Sequence, residues 1–127
     1  MQPIVLNHLK EIIVHHPVRQ AYLFGSQARG TAGALSDIDI AVLFRSDIDQ
    51  EKGESMLFVD LSQALHTDNI DIVNIETASP LLAHRAVLRG LPILDHLPHE
   101  TALLKTKILH AYEDTRHLRE IKQAAFV

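Results

Sequence analysis

Two aspartates, Asp37 and Asp39, stand at the head of an otherwise apolar run in the stretch SDIDIAVLF. Carrying an unpaired carboxylate into a buried strand costs several kcal/mol or forces the group to neutralise, so something must hold both charges there. Successive side chains of a strand point to opposite faces, which puts these two on one face, roughly 6.5–7 Å apart along the chain. A third acid, Asp71, recurs in the same kind of context, IDIVNI, and joins them if the two strands are neighbours. Clustered carboxylates repel one another, and divalent cations reverse that sign. Hard oxygen donors favour Mg²⁺ or Mn²⁺, and Mg²⁺ commonly completes its shell with substrate phosphates rather than with a closed protein cage.

The phosphate half of such a site is offered twelve residues before Asp37, in FGSQARG. Gly25 permits close backbone approach, and Ser26 can cap a short helix through QARG whose free N–H groups and dipole favour an anion. Ser26 adds a hydroxyl, and Arg29, one turn later, adds a positive charge. Together these residue types are what metal-assisted phosphoryl or nucleotidyl transfer needs, with two ions about 3.5–4 Å apart serving an in-line displacement.

The elements that must position these residues follow from periodicity. Val5, Leu9, Ile12 and His16 fall near one face of a helix from Pro3 to His15, with Pro3 suited to its first turn. RQAYLF, Arg19 to Phe24, reads as a strand ending in the turn at Gly25. Asp37 to Phe44 reads as a strand that starts at a solvent-accessible rim and runs into the core. After the polar stretch RSDIDQEKGE, Leu57, Leu61, Ala64 and Leu65 mark a helix, with Gly53 expected in a loop or a weak first turn. Ile70 to Ile75 is a short strand. Ser79-Pro80 opens a helix that Gly90 closes, LPILD is a short strand, and a long amphipathic helix runs from about Glu100 to Gln123. This order predicts an α+β or α/β domain with one sheet of three or four strands, whose directions local sequence leaves open.

Composition bounds the class. A chain of 127 residues, 46% hydrophobic and 22% charged, fits one domain over 1–127. No cysteine is present, so disulfides and thiolate metal sites are excluded and a reducing cytosol is expected. The start, MQPIVLNHLKEII, has no basic leader pattern, and no apolar run approaches the ~20 residues of a membrane span, so a cytoplasmic location is expected. The net charge of −4, without a dense Lys/Arg block, argues against nucleic acid as the main partner.

Gly25 and Ser26, ten residues, then Asp37 and Asp39 resemble the Gly-Ser…Asp-x-Asp signature of the nucleotidyltransferase superfamily related to DNA polymerase β. The third acid in IDIVNI, then ASPLLAHRAVLRGLPIL and YEDTRHLRE, make the chain similar to the minimal nucleotidyltransferases of the MntA antitoxin family over nearly its whole length. The resemblance implies a polymerase β palm-like fold, a small mixed sheet packed with helices, and a long C-terminal helix. It further implies transfer of AMP from ATP, with Mg²⁺, onto a tyrosine of HepT, a HEPN-domain ribonuclease toxin, in a heteromeric complex. On the same basis Asp37 and Asp39 bind both metals, and Asp71 binds the one that activates the nucleophile and acts as a base. Gly25 and Ser26 hold the triphosphate, and Arg29 and Ser36 contact the nucleotide. Two alternatives share the sequence: a small hydroxylated acceptor, and a non-catalytic antitoxin that neutralises by binding alone.

Of the nine histidines, the pairs His15-His16 and His96/His99 lack acidic or cysteine companions at metal-site spacing and are expected at the surface or half-buried. Arg85 and Arg89 suit an exposed face, a phosphate or a partner, and Tyr112 is expected to pack on the last helix.

Overall fold

Four strands form one sheet in the order β3-β2-β1-β4, with β1 Val18–Phe24, β2 Ile38–Phe44, β3 Ile70–Asn74 and β4 Leu91–Asp95. The computed structural model describes residues 3–25, 37–95 and 98–125. β1 lies antiparallel to both β2 and β4, whereas β2 and β3 are parallel. A parallel pair needs a crossover, and helix α2, Gln50–Leu65, provides it. Among the described residues the remaining helices are α1 Pro3–Ile13, α3 Pro80–Ala83 with a π-helical turn His84–Leu88 directly after it, α4 Pro98–Asp114 and α5 Arg116–Ala125. Among the described residues no helix is long and apolar enough to cross a membrane.

The alternation of β2 sorts its side chains between two cores. Ile40, Val42 and Phe44 join Leu23 against Leu9 and Ile13 of α1 and Leu57 and Leu61 of α2. Ala41 joins Tyr22 and Phe24 on the opposite face, against Ala83, Ala86, Val87 and Ile108. Full burial of each large aliphatic side chain contributes about 1.5–3 kcal/mol, so the sheet is clamped from both sides. Polar contacts running from the core to the surface fix the start of α4: the buried Tyr22 hydroxyl donates to Gln20 Oε1 at 2.7 Å, the Thr101 hydroxyl donates to the exposed Asp95, and Arg19 pairs with Glu100 at 2.5 Å at the surface.

The α+β class and the small mixed sheet agree with the sequence reading, and three local features differ from it. Gly53 itself lies buried in the first turn of α2, one of the two settings expected for it; a Cβ there would come within 2.8 Å of Ile48 and 3.3 Å of the Phe44 ring. The helix begins earlier than the leucine spacing suggests because Asp49 caps it, accepting from the Lys52 N–H at 3.2 Å. The helix opened by Ser79 and Pro80 widens into the π-helical turn after one turn. The long C-terminal helix is present as α4, and Thr115 divides the expected 100–123 stretch. Its N–H and hydroxyl both turn back to the Tyr112 carbonyl, at 3.2 and 2.9 Å, and Arg119 bonds the same oxygen at 2.9 Å. This corner is stacked: the His84 and Tyr112 rings lie 3.8 Å apart and the Arg119 guanidinium sits 3.7 Å over Tyr112. Cation–π and ring stacking of this kind hold a helix corner without a large core.

Candidate active site

Asp39 and Asp71 are direct register partners across the parallel β2–β3 pair. Neighbouring strands are about 4.8 Å apart, so these two acids stand closer than the Asp37–Asp39 spacing along one strand. Both belong to the face that carries Ala41 and Val73, because Ile38, Ile40, Ile70 and Ile72 pack on the other. Asp37 precedes β2 by one residue, and alternation carries it to the same face; it is exposed, as is Asp71, while Asp39 is half-buried. All three lie at the N-terminal ends of their strands, where β1 ends antiparallel beside them.

Gly25 completes this end of the sheet. It follows Phe24, the register partner of Asp39, and adopts φ +75, a conformation open to glycine at little cost. A Cβ at this position would lie 2.3 Å from Asp39 Oδ2 and 3.2 Å from Asp39 Cγ. The aspartate carboxylate therefore occupies the space that any other residue at position 25 would fill, so a side chain there forces the acid to move. Ser26, Arg29 and Ser36, with the short helix expected through QARG, lie outside the described residues.

The donor set fits a hard divalent cation. Like charges directly opposite one another on adjacent strands are destabilising, and all three groups are carboxylates of the kind Mg²⁺ and Mn²⁺ prefer. Among the described residues no three acid, histidine or cysteine side chains are already gathered into a metal cage. Asp39 and Asp71 are thus brought together by register, with Asp37 on the same rim rather than drawn inward.

The polymerase β nucleotidyltransferase family model matches residues 7–97, which hold every one of these groups. The chain belongs to this nucleotidyltransferase family. It is similar to the protein adenylyltransferase MntA of Shewanella oneidensis, with 34% identity over 103 residues, covering 81% of this chain and 70% of that protein. Among solved structures, a chain of a toxin-antitoxin crystal structure with AMP-PNP matches with a TM-score of 0.76 and 29% identity, covering 95% of this chain and 94% of that one. A chain of the tri-AMPylated Shewanella oneidensis HEPN toxin in complex with its MNT antitoxin matches with a TM-score of 0.70 and 27% identity, over 99% and 96% of the two chains.

Other features of this nucleotidyltransferase lie outside the acid rim. His16 pairs with Asp60 at 2.7 Å, while His15 and His99 are exposed; His96 lies outside the described residues. Arg85 and Arg89 are exposed on and just after the π-helical turn. Tyr112 packs, as expected, in the His84–Arg119 stack. Burial first, then the charges of Arg89 and Arg119, lowers the His84 pKa below the ordinary histidine value. An apolar groove of about 310 Å³, lined by Leu43, Ile75, Leu104 and Ile108 among others, lies on the same sheet face at the other end and contains none of the acids. Sequence reading took Gly90 only as a helix stop and missed its close approach to β1: a Cβ there would be 2.9 Å from the Leu23 carbonyl oxygen. Glycine between a helix and a strand is ambiguous from sequence, because the stop and the close contact use the same residue.

Proposed function

We propose that this chain is an antitoxin that transfers AMP from ATP to a tyrosine hydroxyl of a cognate HEPN-domain toxin and so inactivates it. The observation that carries this reading is the in-register Asp39–Asp71 pair with Gly25 folded against the Asp39 carboxylate. Family membership supports the nucleotidyl chemistry, and the likeness to MntA and to an antitoxin bound to an AMPylated toxin supports the acceptor.

In this scheme Asp37, Asp39 and Asp71 would hold two Mg²⁺ ions, which when bound would neutralise phosphate charge and favour the ionised nucleophile. Gly25 and Ser26 hold the triphosphate, Arg29 and Ser36 contact the nucleotide, and Asp71 accepts the proton of the incoming tyrosine hydroxyl. The tyrosine oxygen bonds to the α-phosphorus in line with the departing oxygen, the bond to the β-phosphate bridge breaks, and pyrophosphate leaves. Asp71 lies on β3, an edge of the sheet, so a folded acceptor approaches it without displacing a strand. The chain works as a single domain over 1–127 in the cytoplasm, as a complex with its toxin.

The test is to incubate the protein with the product of its neighbouring gene and ATP labelled at the α-phosphate. Label is expected on a tyrosine of the partner, dependent on Mg²⁺ and absent with Asp39→Asn. A folded enzyme that leaves the partner unlabelled at high Mg²⁺ overturns the reading. Protection of cells by an Asp37→Asn/Asp39→Asn double variant assigns neutralisation to binding instead.

A further inference from the structure

We infer that Gly90 is a positioning residue for the phosphate-holding turn at Gly25, an inference that rests on the nucleotide-binding reading above. β1 is held unequally on its two sides. Toward β2 its pairing extends to Phe24, opposite Asp39, but toward β4 it stops one residue earlier, at Leu23 opposite Leu91. The flank of the last residues before Gly25 is instead supported by the π-helical turn. Ala86 and Val87 of that turn are 0% and 2% exposed and belong to the same packed cluster as Tyr22 and Phe24.

Gly90 sets how closely this turn abuts β1. A Cβ at position 90 would fall 2.1 Å from the Ala86 carbonyl oxygen and 2.9 Å from the Leu23 carbonyl oxygen. Both contacts are with backbone, so neither yields by a side-chain rotation. Restoring ordinary van der Waals spacing requires the turn to loosen at Ala86 and its joint with β1 to open by roughly 0.5 Å at Leu23. π-helical turns are uncommon and occur frequently at functional sites; this one presses its buried face on Phe24 and its end on Leu23, the two residues that deliver Gly25. Asp39 and Asp71 lie on β2 and β3, neither of which pairs with β4, whereas Leu23, which Gly90 approaches, stands two residues before Gly25.

The experiment uses the whole protein and α,β-methylene ATP, whose α–β bridge is not cleaved by adenylyl transfer, with Mg²⁺ and calorimetric titration. Gly90→Ala is expected to weaken binding about tenfold, the weight of one mispositioned hydrogen bond to a charged phosphate. In turnover with the partner, its KM for ATP rises while kcat at saturating ATP holds. Gly53→Ala is the control: it overpacks a buried glycine at the other end of the sheet, against Ile48 and Phe44, and is expected to lower the melting temperature without changing nucleotide affinity. If Gly90→Ala does not fold, Val87→Ala loosens the same joint without a clash and shifts affinity in the same direction. Wild-type affinity in Gly90→Ala or, where that variant is unfolded, in Val87→Ala overturns the inference, as does equal weakening in Gly53→Ala. A wild-type protein that binds no analogue overturns it together with the nucleotide reading. A wild-type protein that binds the analogue but labels no partner overturns only the proposed acceptor, and the Gly90 effect then stands on the binding data.

Discussion

Replacing Gly25 by alanine probes the contact at the centre of the site, because two separable costs arise from one methyl group. The first is conformational: at φ +75 an L-residue in the left-handed region costs about 1–2 kcal/mol. The second is steric. The new Cβ would lie 2.3 Å from Asp39 Oδ2, so the carboxylate must swing aside, and residues in direct contact couple by about 0.5–3 kcal/mol. A double-mutant cycle in urea separates them. In the wild-type background Gly25→Ala should cost both terms; in an Asp39→Ala background, where the colliding carboxylate is gone, only the conformational term remains. Activity gives a second readout, since a ligand displaced by about 1 Å costs on the order of 10²-fold in turnover. Equal stability losses in the two backgrounds, or a Gly25→Ala enzyme with full AMP transfer, would refute the argument that turn and acid share one space.

Two further outcomes follow from the packing. Fold burial favours neutral His84, so in the unfolded chain, where histidine titrates near about 6.5, more protons are bound below that pH, and stability falls as pH drops through that range. His84→Phe keeps a ring on Tyr112 but cannot titrate, so its melting temperature should change less between pH 7.5 and 5.5 than that of the wild type, each pH being of the order of the histidine value; identical slopes would remove His84 from the pH response. Tyr22→Phe leaves the buried Gln20 Oε1 without its donor, and chemical denaturation should register a loss of about 1–3 kcal/mol. No measurable change would mean that the Tyr22 hydroxyl is not the oxygen's essential partner.

The legible part of the site was the part in which chemistry and local pattern coincide. Asp37, Asp39 and Asp71 are out of character for apolar strands, and Gly25 ends a strand at a point where chain reversal needs positive φ, so each is visible within a few residues of sequence. Register is different in kind. That Asp39 faces Asp71 depends on β2 and β3 being parallel and on how α2 returns the chain between them, neither of which is written in the local alternation. Position 53 takes glycine inside the helix because Ile48 and Phe44 leave no room for a side chain, and the π-helical turn widens where Ala86 and Val87 meet the sheet. Thr115 ends α4 because its hydroxyl and Arg119 compete for the Tyr112 carbonyl. In each case a specific side-chain contact overrides an intrinsic preference.

The place of β3 in the sheet also governs when the site exists. Asp71 is carried by a five-residue strand bonded to one neighbour, whereas Asp39 and Gly25 belong to or adjoin the central pair. Non-local parallel pairing forms slowly and pays loop-closure entropy before any contact rewards it, and edge segments open at lower free energy than the core. The third carboxylate is therefore the last to arrive as the chain folds and the first to leave when it breathes, so catalytic competence is a narrower condition than being folded.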